Sequence, residues 1–208
     1  MAKYNTLKHG GRGAVTLQLI FETRYKEDKM YYSTNYPSPL GTITLSCDKD
    51  NLVGLWLEGQ KYHGNSIPEE MIENNDMPVF DAAKKWLDRY FAGEKPAIAD
   101  LPLAPIGGEF RRAVWDILCK IPYGEYITYG DIAKAVAVQM GKTSMSSQAV
   151  GGAVGHNPIS IIIPCHRVVG GNGSLTGYAG GISKKIKLLE HEGVDMSKLF
   201  VPTKGTAL

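Results

Sequence analysis

The run Pro164-Cys165-His166-Arg167-Val168 places a thiol, an imidazole and a guanidinium at consecutive positions. A cysteine among apolar residues is ordinarily an inert small hydrophobe. Here an apolar run, Ile159 to Ile163, leads in as a predicted strand, a proline fixes the backbone, and a glycine-rich turn region, Gly170 to Gly181, leads out. Neighbouring cations lower a thiol pKa and favour the thiolate, the form that attacks electrophiles. The pattern predicts a reactive, accessible nucleophile at Cys165. A thiol needs a base to take its proton, and the base needs a group to orient it. His166 is adjacent, but successive side chains of a strand face opposite sides, so it serves only if the backbone turns or a water bridges the two. A carboxylate for the histidine must come from elsewhere. The predicted helix Lys184 to Glu192, ended by Gly193, offers Glu190 and Glu192, and spacing does not choose between them. The competing reading of Glu190, His191 and the lysines there is a solvated helix face.

The elements upstream of the cysteine outline a helix-turn-helix. Thr128 is placed to cap a helix from Tyr129 to Met140, Gly141 to Ser146 is a polar turn, and Ser146 or Ser147 caps a second helix from Gln148 to Gly155. That second helix is almost wholly Ala, Gly and Val. Two adjacent glycines cost roughly 1 kcal/mol each against alanine inside a helix. Close approach to another backbone would justify that cost, and so would tight helix packing inside the protein; the residues alone weigh these evenly. Before it, Phe110 to Lys120 reads as a short amphipathic helix with Cys119 as packing, and Glu94 to Gly108, with three prolines and two glycines, as a linker.

The first half has a different texture. Tyr31 to Asn35, Gly41 to Cys47 and Leu52 to Leu57 are β-rich runs separated by Pro37-Ser38-Pro39 and Asp48-Lys49-Asp50-Asn51, which predicts an antiparallel meander with Cys47 in the core. Gly59 to Asn75 reads as polar loop. Pro78 then opens a helix with Phe80, Ala83, Leu87, Tyr90 and Phe91 on one face, stopped by Gly93. Met1 to Lys29 has no sustained period and reads as an extension, with a short strand over Val15 to Phe21.

Composition narrows the class. The chain has 208 residues, 43% hydrophobic and 21% charged, enough to bury a real core. No apolar run approaches the ~20 residues that span a bilayer, so no membrane is expected. Three cysteines without a C-x-x-C spacing argue against a disulfide framework and for a reducing compartment, the cytoplasm. Net charge is only +2, but residues 107–208 carry 11 Lys+Arg and 7 Asp+Glu against 12 and 14 in residues 1–106. That asymmetry favours a polyanion contact by the second half. Cys47, Cys119, His9 and His63 are too scattered to argue a zinc site, and no metal is expected. The residues leave two readings open: a thiol hydrolase using Cys165 and His166, and a plain helix-turn-helix regulator that leaves the cysteine idle.

Ile163-Pro164-Cys165-His166-Arg167-Val168, preceded by Gly155-His156-Asn157-Pro158 and followed by Gly177-Tyr178-Ala179-Gly180-Gly181, resembles the active-site signature of the O6-alkylguanine-DNA alkyltransferases, or methylated-DNA–protein-cysteine methyltransferases. The resemblance runs from about Gly107 to Gly193, and before that only the strand-then-helix pattern is shared. It implies an α+β fold: a small antiparallel-sheet, ribonuclease-H-like domain over 30–105, then a mostly helical, winged helix-turn-helix-like DNA-binding domain over 106–200, with a tail over 201–208. It implies that Cys165 takes the methyl of O6-methylguanine in a single, self-inactivating turnover, and it leaves open O4-methylthymine and larger alkyl groups. His166 would act through a water with Glu192 as its carboxylate. Tyr129 would lie near the guanine N3 and donate to the leaving base, and Asn157 would tie helix to strand. Gln148, Ala149, Gly151 and Gly152 would enter the DNA minor groove, where small residues fit. Arg167, Val168, Tyr178 and Ala179 would complete the DNA-contacting set, the last three through backbone groups. The implied partner is double-stranded DNA carrying alkylated bases, the implied state a monomer, and no cofactor is needed.

One position departs from the pattern that the resemblance implies. Family members commonly carry an arginine where this chain has Gln148, filling the gap left by a rotated base. Glutamine fills space without charge, whereas Ala179 in place of a common serine changes no backbone group. Gln148→Arg is therefore expected to steepen the slope of log affinity for DNA against log salt by about one. Binding isotherms at several salt concentrations measure it, and an unchanged slope counts against this placement of Gln148.

Overall fold

The computed structural model describes residues 29–203. The strand expected over Val15 to Phe21 lies outside these residues. Strands β1 (Tyr31–Ser38), β2 (Gly41–Cys47), β3 (Leu52–Leu57) and β4 (Met71–Glu73) form one sheet in the order β3-β2-β1-β4. β1 and β3 each pair antiparallel with β2, as the meander requires. β1 runs three residues further than expected, because Pro37 lies past the end of β4, on an edge where its missing N–H breaks no ladder. The turn is thereby shortened to Pro39-Leu40. β4 was hidden in a polar stretch. Its three residues pair parallel with Tyr31, Tyr32 and Ser33 and are mostly exposed, so they carry no alternating pattern.

Helix α1 (Pro78–Phe91) starts on its proline and ends before Gly93, whose φ of +85° suits a residue without a Cβ. Its buried stripe of Val79, Phe80, Ala83, Trp86, Leu87 and Tyr90 packs on the sheet. Phe91, expected on that face, is only partly buried, and Trp86 takes its place. After the linker come α2 (Glu109–Leu118), β5 (Ile127–Thr128), α3 (Tyr129–Gln139), α4 (Ser147–Gly155), β6 (Val168–Val169) and α5 (Ile182–His191). Thr128 caps α3 by accepting from the Asp131 N–H, and Ser146 caps α4 by accepting from the Ala149 N–H. α2, α3 and α4 pack mutually, and the Trp115 indole locks α2 to α4 by donating to the Ala153 carbonyl at 2.9 Å. β5 and β6 pair in parallel with Ile127 opposite Val168, which brings the start of α3 beside the Cys165 segment.

β3 joins the two halves. All six of its residues are buried, because its free edge is covered twice. Leu52 exchanges hydrogen bonds with Pro102 and Ala104 of the linker, and Leu55 with Pro158 and Ser160. One apolar cluster consequently runs from Ile43 and Leu45 in β2 through α1 to Val150, Ile163 and Leu188. No helix among the described residues is long and apolar enough to cross a membrane. Leu87, fully buried between α1 and the sheet, tests this core. Leu87→Ala is expected to lower stability by about 2–5 kcal/mol, read as a shifted midpoint in chemical denaturation.

Candidate active site

The expected strand from Ile159 to Ile163 is instead a buried turn with a single bridge, Ile159 to Leu55. Its apolarity reflects burial on every side, which a run of five residues cannot distinguish from a strand. Two three-residue turns follow one another. Ile162 N–H donates to Ser160 O at 2.8 Å around Ile161, whose φ is +70°. Cys165 N–H donates to Ile163 O at 2.8 Å around Pro164, whose φ of −81° and ψ of 64° define an inverse γ-turn. A β-branched residue at positive φ is strained by about 1–3 kcal/mol and persists only where its surroundings hold it. Asn157 does the holding. Its Oδ1 accepts from Ile159 N–H at 3.0 Å, and its Nδ2 donates to Ile163 O at 2.8 Å and to Cys165 Sγ at 3.0 Å.

Cys165 thus opens a single 3-10 turn, Cys165 to Arg167. This is the departure from strand geometry that a role for His166 requires. The electrostatics differ from the expectation. Burial pushes the Cys165 thiol up, opposed by the Asn157 hydrogen bond, the Lys185 charge and the Ser160 hydroxyl. The residue is 5% exposed, so the accessible thiolate flanked by its own neighbours' cations is not what the fold provides. Cys47 and Cys119 are pushed up by burial to about 12 and about 11, each raised further by a nearby aspartate. Among the described cysteines, only Cys165 has a side-chain donor on its sulfur.

Both residues that follow the cysteine turn to Glu192. His166 Nε2 lies 2.8 Å from Glu192 Oε1, and Arg167 grips the carboxylate with Nε to Oε2 at 2.7 Å and Nη2 to Oε1 at 2.9 Å. Arg167 also donates Nη1 to the Ile121 carbonyl at 2.6 Å. Expected among the DNA contacts, Arg167 is instead buried and directed inward, where it holds Glu192. Glu190 is exposed and Glu192 is 5% exposed, which decides between them. Burial alone would raise the Glu192 carboxyl, but the bonds from His166 and Arg167 outweigh it and hold it well below the usual range. Burial keeps His166 below its ordinary value despite that carboxylate. With Nε2 occupied, Nδ1 is the ring atom that makes no hydrogen bond among the described residues.

The lysines of α5, read as solvated, are not all so. Lys185 is fully buried, donates Nζ to the carbonyls of Val168 and Thr176, and is lowered by burial to about 8. A cation flanked by Ile182, Leu188 and Leu189 on one helix gives no sequence signal beyond its place on the apolar stripe. Ser160 is a second residue the sequence reading missed; its hydroxyl donates to Gln60 Oε1 at 3.0 Å, linking the first half to the cysteine turn.

Tyr129, at the start of α3, donates its hydroxyl to Thr176 O at 3.2 Å, and burial pushes it up to about 12. Gly177, at φ +68°, leaves room for that hydroxyl, which a Cβ there would meet at 3.1 Å. Val168 is buried, with its carbonyl taken by Lys185 and its N–H by Cys165 O. The Ala179 carbonyl accepts from Lys61 N–H at 3.0 Å. Val168 does not line the cleft that Tyr178 and Ala179 line, which lies between α4 and the Gly177 to Ile182 segment and is closed on its far side by Lys61 and Tyr62. On α4, Val150, Ala153 and Val154 face inward, while Gln148, Ala149 and Gly152 are exposed and Gly151 is half-buried. A Cβ on Gly152 would meet nothing within 4 Å, and one on Gly151 only the Tyr129 ring at 3.9 Å. Internal packing does not require these glycines, and the small-residue face is directed outward.

A helix-turn-helix joined to a buried thiol, with an imidazole at the next position held by a buried carboxylate, defines a class of thiol protein that works on nucleic acid. The comparisons agree. Residues 109–194 match the family described as "6-O-methylguanine DNA methyltransferase, DNA binding domain", and residues 30–105 match "6-O-methylguanine DNA methyltransferase, ribonuclease-like domain". The chain is 44% identical over 165 residues to the methylated-DNA–protein-cysteine methyltransferase of Methanosarcina acetivorans, covering 79% of this chain and 99% of that one. It is 39% identical over 163 residues to that of Haemophilus influenzae, covering 78% and 87%. The crystal structure of Mycobacterium tuberculosis OGT in complex with DNA superposes with a TM-score of 0.66 at 39% identity, covering 78% of this chain and 92% of that one. The chain belongs to the 6-O-methylguanine DNA methyltransferase family.

Glu192→Gln would leave the Arg167 guanidinium buried without its counter-charge. It is expected to lower stability at neutral pH by about 3–5 kcal/mol. Because the folded carboxyl is held below its ordinary value of 4.5, its contribution is present above that pH and is lost as pH falls below it. Denaturation midpoints of wild type and variant are expected to converge below pH 4.5.

Proposed function

We propose that this protein repairs DNA by moving the methyl group of O6-methylguanine onto Cys165, once per molecule. The observation that carries the reading is the thiol of Cys165, held at 3.0 Å by Asn157 one residue from a buried His166–Glu192 pair. The thiol proton passes to His166 Nδ1, with a water between, while Glu192 holds the opposite ring nitrogen. The thiolate attacks the methyl carbon in line, so the S–C bond forms as the C–O bond breaks. The electron pair leaves with guanine, which takes a proton or hydrogen bond from the Tyr129 hydroxyl, swung from Thr176 O toward the base. The product is a thioether that water does not cleave, so the protein is not regenerated, and neither cofactor nor metal enters the balance.

The methylated oxygen lies inside the duplex and Cys165 lies inside the protein, so the base must be rotated out of the stack at a cost of a few kcal/mol. The cleft beside α4 receives it, with backbone groups of Tyr178 and Ala179 at its edge. The exposed face of Gln148, Ala149, Gly151 and Gly152 fits the minor groove, where close backbone approach is the constraint. Gln148 occupies the space the base leaves. Residues 30–105 act as the scaffold for residues 106–200, and the protein works as a cytoplasmic monomer.

Intact and peptide mass spectrometry after mixing with a duplex bearing one O6-methylguanine tests this directly. One methyl group is expected, confined to the Cys165 peptide and saturating at one per protein. Methylation of Cys47 or Cys119, or none, would overturn the assignment. Cys165→Ala is expected to bind the same duplex without transfer. Asn157→Ala, which removes the donor on the sulfur, is expected to slow transfer about tenfold or more.

A further inference from the structure

Tyr90 stands out among the aromatic residues of α1 because its hydroxyl leaves the apolar stripe. It donates to Glu192 Oε1 at 2.8 Å, a bond between residues 102 positions apart and buried at both ends. The same oxygen accepts from His166 Nε2 at 2.8 Å and from Arg167 Nη2 at 2.9 Å. The other oxygen accepts from Arg167 Nε at 2.7 Å and Gly124 N–H at 3.3 Å. The Tyr90 ring is held on three sides. It stacks on Trp86 at 5.5 Å, meets Tyr123 edge-on at 6.1 Å, and lies tilted 5.1 Å from the His191 ring. A hydroxyl needed only for packing would not require such fixing, since a phenyl ring fills the same apolar space.

We propose that Tyr90, supplied by the first domain, is a positioning residue for alkyl transfer: by sharing Glu192 Oε1 with His166, it limits how strongly that carboxylate draws the imidazole proton. The inference rests on the assignment of His166 as the base for Cys165. The chemistry is that of a crowded acceptor. A carboxylate oxygen offers about two lone-pair directions, and three donors compete for Oε1. Arg167 neutralises the carboxylate, and Tyr90 takes a share of what remains. With Tyr90 gone, the His166 N–H has a stronger acceptor, and the protonated ring, which cannot take a proton from the thiol, becomes easier to form. The other groups facing this pair are Lys185 from α5, Tyr123 from the turn before β5, Cys165, and Tyr178 from the cleft, and none of them replaces a donor on Oε1. The first domain thereby contributes to the chemistry of the second as well as to its support.

The variant Tyr90→Phe keeps the ring and removes the hydroxyl. Two readouts are expected to move together. The His166 imidazole, followed by NMR, titrates at higher pH than in wild type. The rate of Cys165 methylation by O6-methylguanine duplex falls roughly three- to tenfold at pH 6, and is closer to wild type at pH 8.5. A loss by the same factor at every pH, or an unmoved His166 titration, would overturn the proposal, since a purely structural role predicts either. Trp86→Phe alters the stack beneath Tyr90 while keeping its hydroxyl, and the same titration shift in that variant would also overturn it. If wild type itself transfers no methyl, the proposed function fails, and the His166 titration still decides the role of Tyr90.

Discussion

The structure is gathered around one buried carboxylate. Glu192 lies past the last turn of α5 and accepts hydrogen bonds from the first domain, from the turn before β5 and from the two consecutive residues after Cys165. A carboxylate taken from water is stabilised only where every lone pair finds a donor and a counter-charge lies near. Arg167 supplies the charge and a two-pronged grip that fixes the geometry. Packing of α1 on the sheet, the 3-10 turn at Cys165 and the stop of α5 before Gly193 must all be in place for the donors to converge. Stability and the orientation of His166 therefore depend on the same contact.

A second constraint acts on the cysteine. A thiol at a buried turn is a poor thiolate, and burial does raise it. The fold answers with the Asn157 amide on the sulfur and the buried Lys185 charge. Lys185 is itself lowered to about 8, because it sits among apolar neighbours with only two carbonyls as partners. The Asn157 amide and the Lys185 charge thus oppose, at the sulfur, the effect of its burial. The strained Ile161 and the inverse γ-turn at Pro164 place the sulfur there, with Asn157 closing both turns.

The outward face of α4 shows a different economy. Its glycines touch almost nothing inside the protein, so the helix gives up stability without an internal return. Under the proposed function, close approach of a duplex backbone accounts for the composition. The cleft beside it is completed by Lys61 and Tyr62, and the Lys61 N–H holds the Ala179 carbonyl, so the first domain reaches the site from this side as well.

The sequence by itself determined the strands β2 and β3, the cap at Thr128, the helix-turn-helix outline and the family. These follow from local periodicity, turn chemistry and a contiguous motif. It determined less where burial is total. Ile159 to Ile163 is apolar because it is enclosed, and five apolar residues read alike as strand or turn; the short exposed β4 had no pattern at all. Pairing over long separation was decided only by the tertiary structure: Glu192 over Glu190, Arg167 turned inward onto Glu192, Lys185 buried beside an exposed Lys187, and Tyr90 reaching across 102 positions. Such choices depend on which side chains meet once the helices and sheet are packed, and residues distant in the chain carry no local trace of one another.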